Sequence, residues 1–206
     1  MLKGLAHKGI LLVISSPSGA GKSTVARAIT KDPNTNLSVS YTTRPKRQDE
    51  EDGREYYFVE KDKFLDMVSK DELLEYAVIY DNLYGTPKSN VHSLLNDGKN
   101  VVFDVDNQGF NSIKKQMSDD VVSVFILPPS LDALKYRISN RGGDSEKSIE
   151  MRMKSAIHEI SYHTLYDYVV INDNLDETIT NIKNIIHAEK NKRSRVKNLD
   201  QFIFSL

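Results

Sequence analysis

Residues Ile10 to Ile29, ILLVISSPSGAGKSTVARAI, constrain this chain more than any other stretch. An apolar run from Ile10 to Ile14 meets a Ser/Pro/Gly turn, and beyond Lys22, Ser23 and Thr24 the apolar positions Val25, Ala26 and Ile29 fall at helical spacing. The pattern predicts a strand, a phosphate-binding loop and a helix. Gly19 and Gly21 let the backbone turn so that successive N–H groups point inward, and the helix N-terminus adds partial positive charge. Lys22 can then reach the terminal phosphates, and Ser23 is placed to ligate Mg²⁺. Ser18, Gly19, Ala20, Gly21, Lys22, Ser23 and Thr24 are the expected contacts to a nucleoside triphosphate. The usual pattern starts with glycine five residues before the Gly-Lys pair; here that place is Ser16, so the outer turn must hold a side chain. A Gly-rich strand-to-helix turn without a ligand is the alternative, and the flanking strand and helix argue against it.

At 206 residues the chain is expected to form one α/β domain with inserts. A net charge of −1 gives no global pull toward nucleic acid or anionic membranes, so anion binding must come from local clusters. The absence of cysteine excludes disulfides, thiolate metal sites and thiol catalysis. Lys3 and Lys8 precede an apolar run too short for a signal peptide, which is read instead as the first core strand. With no transmembrane stretch, a cytoplasmic enzyme is expected.

Four further segments look like buried parallel strands: Leu37 to Tyr41, Val101 to Val105, Val121 to Leu127 and Tyr168 to Ile171. Helical patterns are read at Lys22 to Thr30, Ser89 to Asn96, Leu131 to Asn140, Glu146 to Tyr162 and Leu175 to Glu189. The alternation predicts a parallel five-stranded sheet with helices on both faces. Between Thr42 and Thr86 the rhythm changes to a polar loop, an alternating piece, a short helix and a hairpin, which reads as an inserted α+β subdomain. Arg141 to Ser148, RGGDSEKS, reads as a lid loop between helices.

Arg44 and Arg47 share a loop shortly before Tyr56 and could hold a second phosphate, since guanidinium forks bind it bidentately. The four acids within Gln48 to Asp52 leave open a charge-balanced, solvated loop. Glu75, in an apolar stretch, is on its own equally a solvent-facing strand residue. Asp104 ends a strand near where a phosphate-loop kinase places an acid beside Mg²⁺, and Asp106 should share its side. Arg137, Arg141 and Arg152 flank the glycine loop and by spacing alone could be a solvated helix face. His158 and His163 lie five apart without a third ligand and are read as surface or capping residues; Tyr162, Tyr166 and Tyr168 are read as packing. Lys190 to Lys197 is expected to be a solvated, mobile basic tail with no partner.

The spacing Thr43-Arg44-x-x-Arg47-x-x-Glu50-x-x-Gly53-x-x-Tyr56-x-Phe58, preceded by Ser40, resembles the signature of guanylate kinases. The phosphate loop, Tyr84-Gly85-Thr86, Asp104 to Gly109, Pro128-Pro129-Ser130, Arg137, Arg141-Gly142, Arg152, Tyr166-Asp167-Tyr168 and Asn172-Asp173 continue the resemblance in order, to about Glu189. Asn107 departs from it, because that position is often apolar or aromatic in the family. The resemblance implies a three-layer P-loop kinase fold with core 1–41, 87–137 and 153–206, a GMP-binding insert 42–86 and a lid 138–152. It implies that Arg44, Arg47, Tyr56 and Tyr84 hold the GMP phosphate, and that Ser40, Glu75, Thr86 and Asp106 surround the guanine. A carboxylate at Glu75 suits guanine, whose N1–H and exocyclic NH₂ form a two-donor edge. Lys22, Arg44, Arg137, Arg141 and Arg152 become the expected catalytic residues, Ser23 and Asp104 the Mg²⁺ ligands, and Asn172 a neighbour of the adenine. The implied reaction is Mg²⁺-dependent phosphorylation of GMP by ATP, with no nucleic acid or membrane partner and the oligomeric state left open. Another nucleoside monophosphate kinase, for AMP, UMP or dTMP, or a non-catalytic interaction module remain as alternatives. A switch-type GTPase is disfavoured because no Asn-Lys-x-Asp sequence occurs.

Overall fold

The computed structural model describes residues 5–79, 81–140 and 146–205. In chain order the elements are β1 (Leu11–Ser15), α1 (Lys22–Ile29), β2 (Thr35–Leu37), β3 (Ser40–Thr42), β4 (Tyr56–Phe58), α2 (Lys61–Ser69), β5 (Leu73–Ile79), β6 (Asn82–Pro87), α3 (Lys88–Asn96) and β7 (Asn100–Asp104). There follow α4 (Asn107–Met117), β8 (Val121–Leu127), α5 (Leu131–Ser139), α6 (Glu146–Ile160), β9 (Tyr168–Ile171), α7 (Leu175–Lys190) and α8 (Leu199–Ile203).

A parallel five-stranded sheet in the order β2-β7-β1-β8-β9 forms the centre, with Leu11 opposite both Val101 and Val121. β1 is buried at every position and apolar at all but Ser15 because both of its faces are covered. Ile10, Leu12 and Ile14 pack with Val25, Ile29, Ile182 and Ile186 of α1 and α7. Leu11 and Val13 pack with Val91, Leu95, Phe110 and Ile113 of α3 and α4. These are the three layers that the strand and helix alternation implies. The phosphate loop leaves the C-terminal end of the central strand, where open α/β sheets leave a crevice.

The insert forms its own sheet, β4-β3-β6-β5, in which β3 and β4 run parallel and the other pairs antiparallel. It is closed by Phe64 and Met67 of α2 against Leu73, Tyr41 and Leu83. Leu134, Ile138 and Ala156 join α5 to α6 in a smaller cluster.

Three expectations are corrected. Leu37 to Tyr41 is not one strand. Leu37 pairs with Val102 in the central sheet, Ser38 N–H still donates to the Val102 carbonyl at 2.9 Å, and Ser40 then pairs with Tyr56 in the other sheet. The chain changes sheets at Ser38-Val39, so Ser40 and Tyr41 belong with the insert's strands. Second, the sequence patterns place no helix over 107–117, whereas α4 forms there with Phe110, Ile113 and Met117 as its buried stripe. Asn107, Gly109 and Asn111 are weak helix formers, and what compensates is the Asp106 carboxylate, which caps the helix by accepting from Gly109 N–H at 2.9 Å. Third, the basic tail is docked. Arg195 is only 5% exposed and donates to the carbonyls of Gly9, Asp119 and Asp120 at 3.2, 3.2 and 3.3 Å. Val196 bridges His7, and Lys190 Nζ donates to the Gly98 carbonyl at 2.8 Å.

The lid loop's glycines and Arg141 lie outside the described residues; the helix beyond them ends at Ile160 and passes into a 3₁₀ turn, Ser161–Leu165. Tyr166 is core packing, stacked on Phe110 with ring centroids 4.2 Å apart. His158 and His163 hydrogen-bond to Tyr162 and to the Ile160 carbonyl, at 3.0 and 2.9 Å.

Candidate active site

The loop between β1 and α1 holds its turn through two glycines in left-handed conformation, Gly19 at φ 90° and Gly21 at φ 97°. Gly21 is also required sterically, because a Cβ there would lie 2.5 Å from Asn172 Nδ2. Gly21 caps α1 without any side-chain hydrogen bond, and no acid stands in the first turn. The helix therefore presents unsatisfied amide donors and its dipole to whatever anion enters. The loop lines a cavity of about 460 Å³ together with Asp106, Asn107, Gln108, His158 and Glu159.

Lys22 Nζ sits 2.9 Å from Asp104 Oδ1 and donates to the Val105 carbonyl at 2.9 Å. Ser23 Oγ donates to Asp104 Oδ2 at 2.7 Å. One carboxylate thus braces both the loop lysine and the loop serine. Ser23 Oγ and Asp104 form an all-oxygen donor pair of the kind a hard cation takes. Two oxygen donors fit a Mg²⁺ that takes the rest of its shell from phosphate oxygens and water.

Asn172 is buried and its side chain is fully engaged. Nδ2 donates to the Ala20 carbonyl at 2.7 Å, and Oδ1 accepts from Thr178 Oγ1 at 3.1 Å. It fastens the phosphate loop from behind, and Arg137 Nη2 donates to its carbonyl at 3.0 Å. Thr24 stands exposed on the first turn of α1.

A second cavity, of about 320 Å³, opens between the insert and the core. Ser40, Tyr56, Glu75 and Thr86 line it, and so do Ser23 and Asp104. The two cavities meet at Ser23, which lines both. Inside the second, Ser40 Oγ lies 2.9 Å from Thr86 Oγ1, which donates to Glu75 Oε1 at 2.7 Å. The relay fixes the orientation of the Glu75 carboxylate before any ligand arrives. Burial pushes the Glu75 carboxyl above the usual carboxylate range, Asp106 adds to the rise, and the Thr86 hydroxyl opposes it.

Beside this cavity Arg44 lies over the rings of Tyr56 and Phe58, 5.6 and 5.8 Å from their centroids, and Tyr84 packs edge-on against Tyr56. Glu50 holds this loop. It takes Arg44 Nη2 at 2.6 Å and accepts Arg47 N–H at 2.8 Å, and Arg44 keeps its carboxyl below the usual range. The sequence signature contained Glu50 without giving it a task. Arg152, on α6, reaches toward Ser18 Oγ at 3.5 Å.

A phosphate loop on the central strand, a braced serine and carboxylate, and an inserted sheet with a second cavity meeting the first define a phosphate-loop kinase built for two nucleotides. The guanylate kinase family model matches residues 8–189. A guanylate kinase of Rhodopseudomonas palustris (strain HaA2) is 47% identical over 203 residues, covering 98% of this chain and 92% of that protein. One from Zymomonas mobilis is 50% identical over 192 residues, covering 93% and 89%. The crystal structure of guanylate kinase from Anaplasma phagocytophilum superposes with a TM-score of 0.74 at 36% identity, over 98% of this chain and 97% of that one. This chain belongs to the guanylate kinase family and is a phosphotransferase.

Proposed function

We infer that the reaction, ATP-dependent phosphorylation of GMP to GDP, takes place where the two cavities meet, with ATP on the phosphate loop and GMP in the insert cavity. The observation that carries this reading is that Ser23 lines both the loop cavity and the cavity containing Glu75, where Asp104, its hydrogen-bond partner, lies beside it. A donor phosphate on the loop and an acceptor on the insert would be neighbours there.

In this division of labour the loop from Ser18 to Thr24, through those of its amides not already bonded within the protein, and Lys22 take the triphosphate. Ser40, Glu75, Thr86 and Asp106 take the guanine, Glu75 accepting its two-donor edge, while Arg44, Arg47, Tyr56 and Tyr84 take the acceptor phosphate. An acceptor phosphate oxygen attacks the γ-phosphorus as the bond to the bridging oxygen breaks, leaving ADP. The acceptor is already an anion, so no strong base is needed, and catalysis comes from in-line positioning and charge neutralisation. Ser23 and Asp104 would hold Mg²⁺, which when bound neutralises charge on the phosphates. Lys22 performs the same task from the loop, and Arg137 from the core with Arg141 and Arg152 from the lid, 138–152, supply further positive charge. Closure of the insert, 42–86, over the core excludes water, so that transfer to GMP outruns hydrolysis. Among the described residues no helix is long and apolar enough to cross a membrane; the substrates assigned here are free nucleotides, and the enzyme is read as cytoplasmic on that ground.

A panel of acceptors tests the reading. With ATP and Mg²⁺, ADP production should depend on GMP and be far slower with AMP, UMP or dTMP. Equal rates with AMP would overturn the role given to Glu75, and failure to bind ATP by calorimetry would overturn the enzyme reading.

A further inference from the structure

Helix α6 presses a carboxylate against the phosphate loop that the reaction as described leaves without a task. Glu159 lines the loop cavity and its Oε2 accepts the backbone N–H of Ser18 at 2.8 Å. Its other oxygen accepts from Ser155 Oγ, one turn back, at 3.2 Å. Arg152 Nη2 approaches the hydroxyl of the same Ser18 at 3.5 Å. Positions 152, 155 and 159 share one helical face, and that face meets Ser18 through both its amide and its side chain.

The placement runs against simple electrostatics. A loop made to receive a polyphosphate gains nothing from a nearby negative charge, yet here one of its amides is given to a carboxylate. A local conflict of this kind persists where geometry is worth more than charge balance. Ser18 belongs to the outer turn of the loop, where Ser16 stands in place of the customary glycine and spends its hydroxyl on the neighbouring Pro17 carbonyl at 3.0 Å. Deeper in the loop Asn172 secures Ala20; at Ser18 the support comes from α6.

We propose that Glu159 is a positioning residue, a clamp that locks the outer turn of the phosphate loop to α6 so that the loop and the helix bearing Arg152 move as one unit. The proposal rests on the kinase reading above. Because Glu159 does not line the insert cavity, its loss should disturb transfer and leave the GMP pocket intact.

Glu159→Ala removes the acceptor, whereas Glu159→Gln keeps an oxygen in place and removes only the charge. At saturating ATP, Glu159→Ala is expected to lower kcat about ten- to hundredfold, since small misplacements of reacting groups are costly. KM for GMP should stay within about twofold, the signature of an interaction that serves the transition state. Glu159→Gln should recover to within about threefold of the wild type, a neutral acceptor replacing a charged one. In ligand-free protein labelled with ¹⁵N-serine, the Ser18 amide proton should shift upfield in Glu159→Ala and stay near its original position in Glu159→Gln. If Glu159→Ala does not fold, Glu159→Asp, which withdraws the carboxylate by one methylene, should show the same split.

Wild-type kcat in the alanine variant would overturn the clamp. So would a folded glutamine variant as slow as alanine, or a KM for GMP that rises in step with the loss of kcat. Wild-type protein that does not phosphorylate GMP would overturn the kinase reading, and the Ser18 amide shift would still decide the clamp.

Discussion

Thr86→Val tests the proposed base-reading site most directly, because it removes one hydroxyl and almost nothing else. Thr86 is 2% exposed, and valine occupies the same volume. What is lost is the hydrogen bond to Glu75 Oε1 at 2.7 Å, and with it the relay from Ser40. A hydrogen bond to a charged group contributes roughly 1.5–3 kcal/mol. Glu75 is half-buried and water can partly replace the donor, so the lower part of that range applies. At 1.36 kcal/mol per decade this gives a fall of about ten- to thirtyfold in kcat/KM for GMP, with KM for ATP unchanged. The variant should also move the acid limb of the pH profile. Glu75 must be ionised to accept the guanine donors, so activity is present above its pKa and lost as pH falls through it. Burial raises that pKa and the Thr86 hydroxyl opposes the rise. Deleting the hydroxyl should therefore displace the acid limb of kcat/KM for GMP toward higher pH. The substrate phosphate titrates identically in both proteins, so the difference isolates Glu75. Initial rates across pH 5 to 8 for wild type and Thr86→Val measure both effects. An unchanged kcat/KM together with a superimposable pH profile would refute the role of the relay and of Glu75 as the base-reading acid.

Lys22→Ala should lower kcat by about two to three orders of magnitude or more, the scale of losing one preorganised charge-stabilising group, with circular dichroism unchanged; near-normal turnover would sink its assignment. Glu50→Ala frees the Arg44 guanidinium and the Arg47 amide together, so KM for GMP should rise well ahead of any change in KM for ATP, and parallel changes in the two would argue against it. Arg195→Ala leaves the carbonyls of Gly9, Asp119 and Asp120 without their buried donor and should destabilise the fold by about 2–4 kcal/mol. For a domain of this size that is a drop of roughly 5–15 °C in Tm, readable by calorimetry, while kcat at 25 °C is retained. A Tm within a degree of wild type would restore the picture of a loose tail.

The strand, glycine loop and helix from Leu11 to Ile29 were legible in the residues because their causes are local. An apolar run buried on both faces, glycines at positive φ and a helix beginning at Lys22 are all short-range, and the spacing alone specifies where the amides of the loop point. Tertiary structure decided what local patterns cannot carry. Leu37 to Tyr41 reads as one strand, since β propensity does not say which sheet a residue joins; pairing with Val102 on one side and Tyr56 on the other splits it. Helix α4 was hidden by weak helix formers, and its stripe is stabilised by a core and a cap contributed from outside it. The tail's charges read as solvated because nothing in KNKRSRVK announces that three carbonyls wait for Arg195 at the N-terminal ends of the interior strands β1 and β8. The sequence determined the strand, the glycine turn and the helix that follows it. Only the folded chain brought Ser40, Glu75 and Thr86 into one relay and set it against Ser23 and Asp104, because side-chain contacts between distant segments are fixed by packing, not by spacing.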